Sequence, residues 1–267
     1  MATVHNALGL LNLFSLKQTE IGLTQFKNLS GFDKGTTNRY LKSLKSLGFL
    51  EQNPETKAYR LGPAIVRLAL IREQTFPISK IAEMHIADLA EKTGELAHAS
   101  LSTEEGMSSL CHFDGGISGA RVGFDPAEIL PMHATSSGIA MLAFGRPELL
   151  ESLSRKKFEK FTEKTQTNKK AIQEIVHETQ ACGYSHMSQS YEAEVASIAL
   201  PFFDSSGHAI GTIAVATPRF RMTNEFKLNI LSNAIDTSRI ITSELGAQVP
   251  EQIDQKWDSL QKDAETV

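Results

Sequence analysis

The stretch 21–61 constrains the fold of this chain more than any other part. Near its start, Leu23, Phe26 and Leu29 recur every three residues, as apolar residues do on one buried face of a helix. The pattern stops at Gly31, which can adopt the positive φ angle that commonly ends a helix. We therefore predict a short helix with a buried face, followed by a tight turn.

A second helix is predicted directly after this turn, from the N-cap Asp33 to Gly48. Its outward face carries cations and short hydrogen-bonding side chains, with no acidic residue between Lys34 and Lys45. A helix in the major groove of DNA needs such a face, because cations contact phosphates while amides and hydroxyls contact base edges. The residues predicted to face inward are Thr37, Tyr40, Leu41, Leu44 and Leu47.

A small hairpin is predicted after the second helix, with strands at 49–52 and 58–61. Its two basic residues, Lys57 and Arg60, could contact the sugar-phosphate backbone of a duplex. Helix, turn, helix and basic hairpin together describe a winged helix-turn-helix. The predicted DNA contacts are Lys34, Thr36, Thr37, Asn38, Arg39, Lys42, Lys57 and Arg60.

Two other interpretations of this stretch stay open. It could be an ordinary helical hairpin with a solvated basic face, because exposed helices are usually charged. It could also be an interaction module whose basic helix meets an acidic protein, although a hairpin beside a basic helix is shaped for a duplex.

The distribution of charge along the chain is consistent with DNA binding by the amino-terminal part. Residues 1–75 have ten Lys and Arg against five Asp and Glu, a net +5, and the rest has 17 against 26, a net −9.

The remainder of the chain predicts an α+β domain around one antiparallel sheet. Its strands are expected at 95–102, 107–113, 117–122, 195–203 and 209–217, and its helices at 78–93, 136–144, 147–153, 168–182 and 224–245. A helix at 4–16 completes the mostly α amino-terminal part. The predicted boundaries are 1–62 for the winged helix-turn-helix, 63–77 for a linker helix, 78–247 for the α+β domain and 248–267 for a tail.

The tail has two interpretations. Ile253, Trp257 and Leu260 are spaced as they would be on one face of a helix, so the tail could dock as a short helix. It could instead be disordered with one apolar side.

Composition excludes several classes of protein. Cys111 and Cys182 are too few for a disulfide framework, and no His/Cys spacing resembles a metal site. No signal peptide opens the chain, and no segment approaches the ~20 apolar residues that cross a bilayer. We therefore expect a cytoplasmic protein with reduced thiols and with no membrane segment, metal or cofactor.

The segment 129–138 is the candidate ligand site, because it runs from a loop into a helix start. A helix N-terminus has unpaired N–H groups and a partial positive charge, and Ser136 and Ser137 add hydroxyl donors there. That combination can hold a small carboxylate without any cation. The plainer interpretation is helix capping by Thr135 or Ser136, and a lone histidine such as His133 is more often structural than a ligand contact.

Several motifs, taken in order, resemble the IclR family of transcriptional regulators. The resemblance covers Val4 to Leu245 and implies a winged helix-turn-helix followed by a GAF-like effector-binding domain. It also implies a homodimer or dimer of dimers that binds palindromic operator DNA. Such a protein would repress a catabolic operon and would change its DNA affinity when a small metabolite binds. The motifs are Ser30-Gly31-Phe32-Asp33-Lys34-Gly35-Thr36-Thr37, Tyr59-Arg60-Leu61-Gly62, Leu130-Pro131-Met132-His133-Ala134, Gly183-Tyr184 and Ala199-Leu200-Pro201.

The chain departs from the family pattern at several pocket positions. Where the family often has an Asp, this chain has Met187, and where the family has further acidic residues, it has Gln189 and Ser190. Where the family often has a Gly and a Cys, this chain has Glu194 and Ser197. The helix that usually has Gly-Lys-Ala near its start in the family has Gly-Ile-Ala there in this chain. We therefore expect an effector whose acid group lies near the two serines at the helix start. The predicted effector contacts are Met132, His133, Ser136, Ser137, Cys111, Met187 and Ser197.

An enzyme is the alternative from a different functional class. Cys111 and His133 could in principle form a nucleophile–base pair. However, no elbow motif surrounds Cys111, and its place in an apolar strand suggests packing. We therefore predict no catalytic residues.

Overall fold

A computed structural model of the chain describes residues 2–15, 17–75, 78–116, 119–153 and 157–265. The chain divides into two compact units, Met1–Pro77 and Ile78–Val267, which are described separately. None of the helices in the described residues is long and apolar enough to cross a membrane.

The first unit begins with three helical segments before its hairpin. They are α1 (Ala2–Gly9) with a 3₁₀ turn (Leu10–Leu13), α2 (Leu23–Ser30) and α3 (Lys34–Ser46). Gly31 ends α2 with a φ of +73°, and the carboxylate of Asp33 caps α3 by accepting the N–H of Thr36 at 2.9 Å. Both predicted helix ends are therefore confirmed. The first helix stops earlier than the predicted 4–16, because Phe14 is already extended.

The core of the first unit lies between α2, α3 and the hairpin. Phe26 is fully buried, and four of the five residues predicted to face inward from α3 are buried as well. The prediction was wrong for Leu47, which is 67% exposed because α3 ends at Ser46 and the chain turns there. It was also wrong for Leu29, in the last turn of α2, which is 51% exposed.

The hairpin consists of β1 (Leu50–Gln52) and β2 (Tyr59–Leu61), which pair antiparallel as predicted. The side chain of Asn53 organises the turn by accepting the N–H groups of Glu55 and Thr56. The chain also pairs Ile21 with Tyr59, with both N–H···O distances at 2.9 Å, a contact that the sequence did not predict. Because Ile21 lies two residues before the first residue of α2, this pairing fixes the hairpin to the start of the helix-turn-helix. Helix α4 (Pro63–Thr75) follows the hairpin.

In its described residues the second unit is built on one antiparallel sheet of six strands in the order β5-β4-β3-β8-β7-β6. Both alternating sets of side chains in β7 and β8 are buried, so layers cover both faces of the sheet. The strands are β3 (Leu96–Ser102), β4 (Met107–Asp114), β5 (Ile129–Leu130), β6 (Ser185–Ser188), β7 (Val195–Phe203) and β8 (Ala209–Pro218).

Six helices accompany the sheet in the part of this unit that the structure describes. Helices α5 and α9 pack together over one face of it, while α6 packs on β6, β7 and β8 and is itself covered by α8. The helices are α5 (Ile78–Thr93), α6 (Ser136–Phe144), α7 (Pro147–Leu153), α8 (Lys169–Cys182), α9 (Asn224–Glu244) and α10 (Glu251–Glu265). The predicted helix 168–182 is confirmed as α8, although Asn168 is its N-cap and not its first residue: its side chain accepts two N–H groups, and Gly183 ends the helix with a φ of +86°.

The sheet differs from the prediction at its edges. Residues 119–122 of the predicted strand 117–122 are not in a strand, and residues 117 and 118 lie outside the described residues. Strands β5 and β6 were missed, because two and four residues are too short to show an alternating pattern.

The tail forms the docked helix, the first of its two interpretations. Helix α10 packs on α9, and the side chain of Trp257 is fully buried. The indole N–H of Trp257 donates to the backbone oxygen of Gly183 at 2.7 Å, and its ring lies 6.4 Å from that of Phe203. Arg239 of α9 also binds the carboxylates of Asp254 and Asp258 on α10.

Candidate functional site

The outward face of α3 is a basic surface. Lys34, Arg39 and Lys42 are exposed and Asn38 is half-buried, so the face presents three cations and an amide. Lys34, Asn38 and Lys42 recur every four residues and therefore lie along one stripe of the helix. Within the described residues, the ammonium groups of Lys34 and Lys42 make no ion pair.

The two threonines predicted to contact DNA have other roles in the structure. Thr37 is fully buried, and its hydroxyl donates to the backbone oxygen of Asp33 at 2.9 Å. It therefore presents no group to a duplex, which corrects the prediction for this residue. The hydroxyl of Thr36 donates to the carboxylate of Asp33 at 2.7 Å as part of the cap. The two hydrogen bonds from Thr36 lower the pKa of Asp33.

The hairpin cations are exposed and hold the hairpin together. Lys57 has a φ of +59°, and its ammonium group donates to the backbone oxygen of Pro54 at 2.6 Å. Arg60 forms an ion pair with Glu51, its cross-strand neighbour. Both the hydrogen bond of Lys57 and the ion pair of Arg60 are on the surface, where such contacts contribute little and exchange partners at little cost.

The second unit has a cavity between the N-terminal end of α6 and the sheet. It contains about 610 Å³ of empty space, part of which is open solvent. Its floor comes from four strands: Met187 on β6, Ser197 on β7, Ala216 on β8 and His98 on β3. The loops 122–128 and 189–192 line its mouth.

The N-terminal end of α6 places hydrogen-bond donors in this cavity. Thr135 caps the helix by accepting the N–H of Gly138 at 3.1 Å, so helix geometry leaves the N–H groups of Ser136 and Ser137 without an intrahelical acceptor. The hydroxyl of Ser136 donates to that of Ser197 at 2.8 Å. The hydroxyl of Ser137 is buried and has no hydrogen-bond partner in the described residues.

Gly138 explains why this helix start can lie so close to the preceding turn. A Cβ atom at this position would lie 2.4 Å from the Cα and the backbone oxygen of Met132. Any side chain would therefore push the first turn of α6 away from the turn that precedes it, and the donors would move with it.

The mouth of the cavity is held by contacts between its two loops. The hydroxyl of Tyr191 donates to the carboxylate of Glu128 across the mouth. Phe124 stacks on His98 and His112, with ring centroids 4.9 and 5.0 Å apart. Among the described residues, the lining includes three acids, Asp125, Glu128 and Glu192, and no Lys or Arg. A bound anion would therefore depend on N–H and hydroxyl groups.

The structure brings together four of the seven predicted effector contacts. Ser136, Ser137, Met187 and Ser197 line the cavity, whereas the other three are outside its lining. Met132 is buried in the core. The imidazole Nε2 of His133 is 2.9 Å from the backbone oxygen of Glu159. The sequence did not predict the cavity residues His98, Phe124 and Tyr191, because none of them belongs to a motif. Ser190, which the family resemblance put at a pocket position, does line the cavity.

Cys111 and His133 do not form a catalytic pair in the structure. Cys111 lies opposite Ala99 in the β3–β4 pairing, and the ring of His133 stacks between Phe158 and Phe161. Burial raises the pKa of the Cys111 thiol to about 12. In the described parts of the chain, no group of three or more His, Cys, Asp or Glu residues could hold a metal ion.

The two cysteines are expected to differ in their reaction with iodoacetamide. Cys182 is exposed, whereas the raised pKa of Cys111 leaves on the order of a thousandfold less thiolate than an ordinary thiol has at neutral pH. We expect native protein to take up one carboxamidomethyl group, at Cys182, as measured by peptide mass spectrometry. A Cys182→Ser variant should take up none until it is unfolded in urea. Rapid modification of Cys111 in native protein would contradict the packing role.

Two family models match the chain. The model described as "Bacterial transcriptional regulator IclR C-terminal" matches residues 73–243, and the one described as "IclR helix-turn-helix domain" matches residues 3–54. Helix α10 lies beyond both matches.

Curated relatives match over nearly their whole length. The HTH-type transcriptional regulator XynR of Escherichia coli (strain K12) is 27% identical over 249 residues, which cover 91% of this chain and 97% of that protein. The regulator KdgR of the same organism is 23% identical over 247 residues, which cover 92% of this chain and 93% of that protein.

Solved structures have the same fold. A putative IclR transcriptional regulator from a Silicibacter species is 35% identical, with a TM-score of 0.85, and the match covers 94% of this chain and 98% of that one. An IclR homolog from Microbacterium hydrocarbonoxydans, complexed with 4-hydroxybenzoate, is 20% identical with a TM-score of 0.74. That match covers 91% of this chain and 99% of the other.

Proposed function

Because the chain belongs to the IclR family of bacterial transcriptional regulators, we propose that it represses a catabolic operon and responds to a small organic acid. One observation carries the effector part of this proposal: the hydroxyl of Ser137 is buried, has no partner within the described part of the chain, and lies at a helix N-terminus that opens into a cavity. An unpaired buried polar group costs about 1–3 kcal/mol, which a bound acid would recover. The protein then acts as a cytoplasmic regulator and not as an enzyme.

The proposed DNA contacts come from the basic surface of α3 and from the hairpin. In this proposal Lys34 and Lys42, which are exposed, contact phosphates, while Asn38 and Arg39 contact base edges. Thr36 flanks them. Lys57 and Arg60 hold the sugar-phosphate backbone from the hairpin, exchanging their present partners for phosphates.

The proposed assembly is a homodimer or dimer of dimers on a palindromic operator. Exposed apolar side chains on the first unit support pairing between copies, since Val4 on α1 is 66% exposed and Val66 and Leu70 on α4 are 62% and 59% exposed. Effector binding then changes the spacing of the two DNA-binding surfaces in the dimer. Both half-sites can no longer be met at once, and the operator is released.

The proposed acid lies against the donors of Ser136 and Ser137, with its body near Met187 and Ser197. The structural neighbour that was solved in complex with 4-hydroxybenzoate supports a small organic acid as the ligand. Met132, His133 and Cys111 are outside the lining, so their proposed contribution is to support the residues that touch the ligand.

A mobility shift tests the proposed function. The full chain is expected to retard a duplex from the region upstream of its own gene, and an effective acid from a panel of small carboxylates should release it. Ser137→Ala should raise the acid concentration needed for release roughly tenfold, because one hydrogen bond to the anion is lost.

Ser205→Ala is the matched control, since Ser205 is exposed in the turn between β7 and β8. This variant should respond to acid as the unaltered protein does. Release of the duplex by the same acid concentration in Ser137→Ala would refute the anion site, and failure to retard any upstream duplex would refute the proposed function.

A further inference from the structure

The mouth of the cavity carries negative charge that its lining does not balance. Among the described residues, the lining includes the carboxylates of Asp125, Glu128 and Glu192 but no Lys or Arg. Burial raises the pKa of the Tyr191 hydroxyl, and the carboxylates of Glu128 and Glu192 raise it further, as expected where negative charge accumulates. An incoming carboxylate is repelled by this charge unless the same ligand also carries a positive group.

Two arginines that lie close to lining residues in the sequence do not offset this charge. Arg121, which directly precedes Val122 in the lining, forms an ion pair with Asp114 at 2.9 Å. Arg219 forms an ion pair with Glu194 at the same distance. Both acids are outside the lining, so each arginine is balanced elsewhere and the mouth stays acidic.

Two buried hydroxyl groups indicate that the cavity holds a polar ligand. Ser137 is 1% exposed and Ser190 is 3% exposed, both line the cavity, and neither hydroxyl has a hydrogen-bond partner in the described residues. Native proteins pair nearly all buried polar groups. The hydroxyl of Thr165 donates to the backbone oxygen of Ser190 at 2.5 Å, which fixes the loop and leaves the Ser190 hydroxyl for a ligand at the acidic mouth.

The mouth offers the acceptors that an ammonium group needs. An ammonium group has three N–H donors and no acceptor. Asp125 accepts the N–H of Ala127 through one carboxylate oxygen, and Glu128 accepts the hydroxyl of Tyr191 through one oxygen. The second oxygen of each carboxylate and the hydroxyl of Ser190 make a set of three acceptors, of which two are charged.

We propose that the effector is a zwitterion, an acid that also carries an ammonium group, whose carboxylate binds at the start of α6 and whose ammonium binds Asp125 and Glu128 at the mouth. This inference rests on the proposed function and adds the positive group that the same cavity selects. An acid without a cation brings one more negative charge into an acidic mouth. A zwitterion offsets the charge of the mouth when it binds, so the cavity distinguishes the two ligands by charge.

Calorimetry on the full chain with acids of the same carbon skeleton tests the proposal. The probes are hexanoate, 2-aminohexanoate and 6-aminohexanoate, together with 4-methylbenzoate and 4-(aminomethyl)benzoate. At least one of the amino acids should bind roughly tenfold or more tightly than the acid that lacks its ammonium group. The preference should shrink when the salt concentration is raised from about 0.02 M to about 0.5 M, because salt screens charges, whereas a preference for shape would persist.

A double variant of the two acids assigns the preference to the mouth. Asp125→Asn and Glu128→Gln keep the oxygens that accept from Ala127 and Tyr191, so the mouth retains its hydrogen bonds. The double variant should bind the amino acid about tenfold more weakly and should bind the acid without an ammonium as tightly as before or more tightly. These opposite effects distinguish lost charge from a distorted cavity, which weakens both ligands.

The matched control removes the same charge from another part of the second unit. Glu174 and Glu178 are exposed on α8 and are outside the lining. Their double glutamine variant should keep the full preference for the amino acid.

The outcomes separate this proposal from the proposed function. If the acids bind but an ammonium group makes no difference in the unaltered protein, the ammonium site is wrong and the anion site stands. The same conclusion follows if the preference survives in the double variant of Asp125 and Glu128, or if that variant weakens both kinds of acid equally. If no acid in the panel binds while operator DNA is still retarded, the acid-effector assignment fails and the ammonium site fails with it.

Discussion

Replacing Trp257 with alanine is expected to lower the free energy of unfolding of the second unit by about 3–5 kcal/mol. The indole is fully buried, packs beside Phe203 and donates its N–H to Gly183 at the C-terminal end of α8. The variant loses the apolar contacts, leaves a cavity and leaves that backbone oxygen unpaired. Urea denaturation followed by far-ultraviolet circular dichroism would measure the loss as a shift of the midpoint.

Two other variants separate packing from hydrogen bonding. Trp257→Phe keeps most of the ring but loses the donor to Gly183, so it should cost about 1–3 kcal/mol. Gln252→Ala alters an exposed position of the same helix and should change stability by less than about 0.5 kcal/mol. An unchanged midpoint in Trp257→Ala would mean that α10 does not contribute to the core as its burial indicates.

Replacing both Lys34 and Lys42 with alanine is expected to weaken operator binding by roughly one to two orders of magnitude at low salt. Each lysine is exposed on the same stripe of α3, and each lost phosphate contact should reduce the slope of log affinity against log salt by about 0.9. Because both protomers of the proposed homodimer carry the two substitutions, four phosphate contacts are lost and the slope should be lower by about 3.6. Binding titrations at four or five salt concentrations would measure it.

The control for this experiment removes two cations elsewhere. Lys169 and Lys170 are exposed at the start of α8 in the second unit, so their double alanine variant has the same change in net charge. It should leave the salt slope within error of the unaltered protein. Equal slopes in all three proteins would show that the basic surface of α3 does not neutralise phosphates, and would favour an acidic protein as its partner.

Helix ends were the most predictable part of this fold. A helix end depends on the side chain or the φ angle of one residue and on the few residues next to it, so a short stretch of sequence is enough to locate it. The residues at such ends here are Asp33, Asn168, Gly31 and Gly183. The long strands β7 and β8 were equally evident, because both faces are apolar.

Features that depend on distant residues were not predictable from the sequence. The pairing of Ile21 with Tyr59 joins positions 38 residues apart in the chain, and nothing near Ile21 signals it. Leu29 and Leu47 fit an apolar pattern, yet they are exposed because the pattern cannot tell where a neighbouring element stops.

Only some of the residues that line the cavity could be predicted from the sequence, because the others come from distant segments of the chain. Ser136 and Ser137 follow a helix-start motif, so their donors could be inferred locally. His98 and Tyr191 reach the same cavity from a strand and a loop that lie far away in sequence. Only the order of the strands brings β3 two positions from β7, and the sequence does not encode that order in any short segment.

The burial of Trp257 has a practical consequence for measurement. It is the only tryptophan among the 267 residues, and it lies in the second unit beside Phe203. Its ultraviolet emission is therefore an intrinsic optical reporter of one end of that unit, blue-shifted while α10 stays docked and red-shifted once water reaches the indole. Melting of the DNA-binding unit produces no tryptophan signal of its own, so the two unfolding events can be followed separately without attaching a dye.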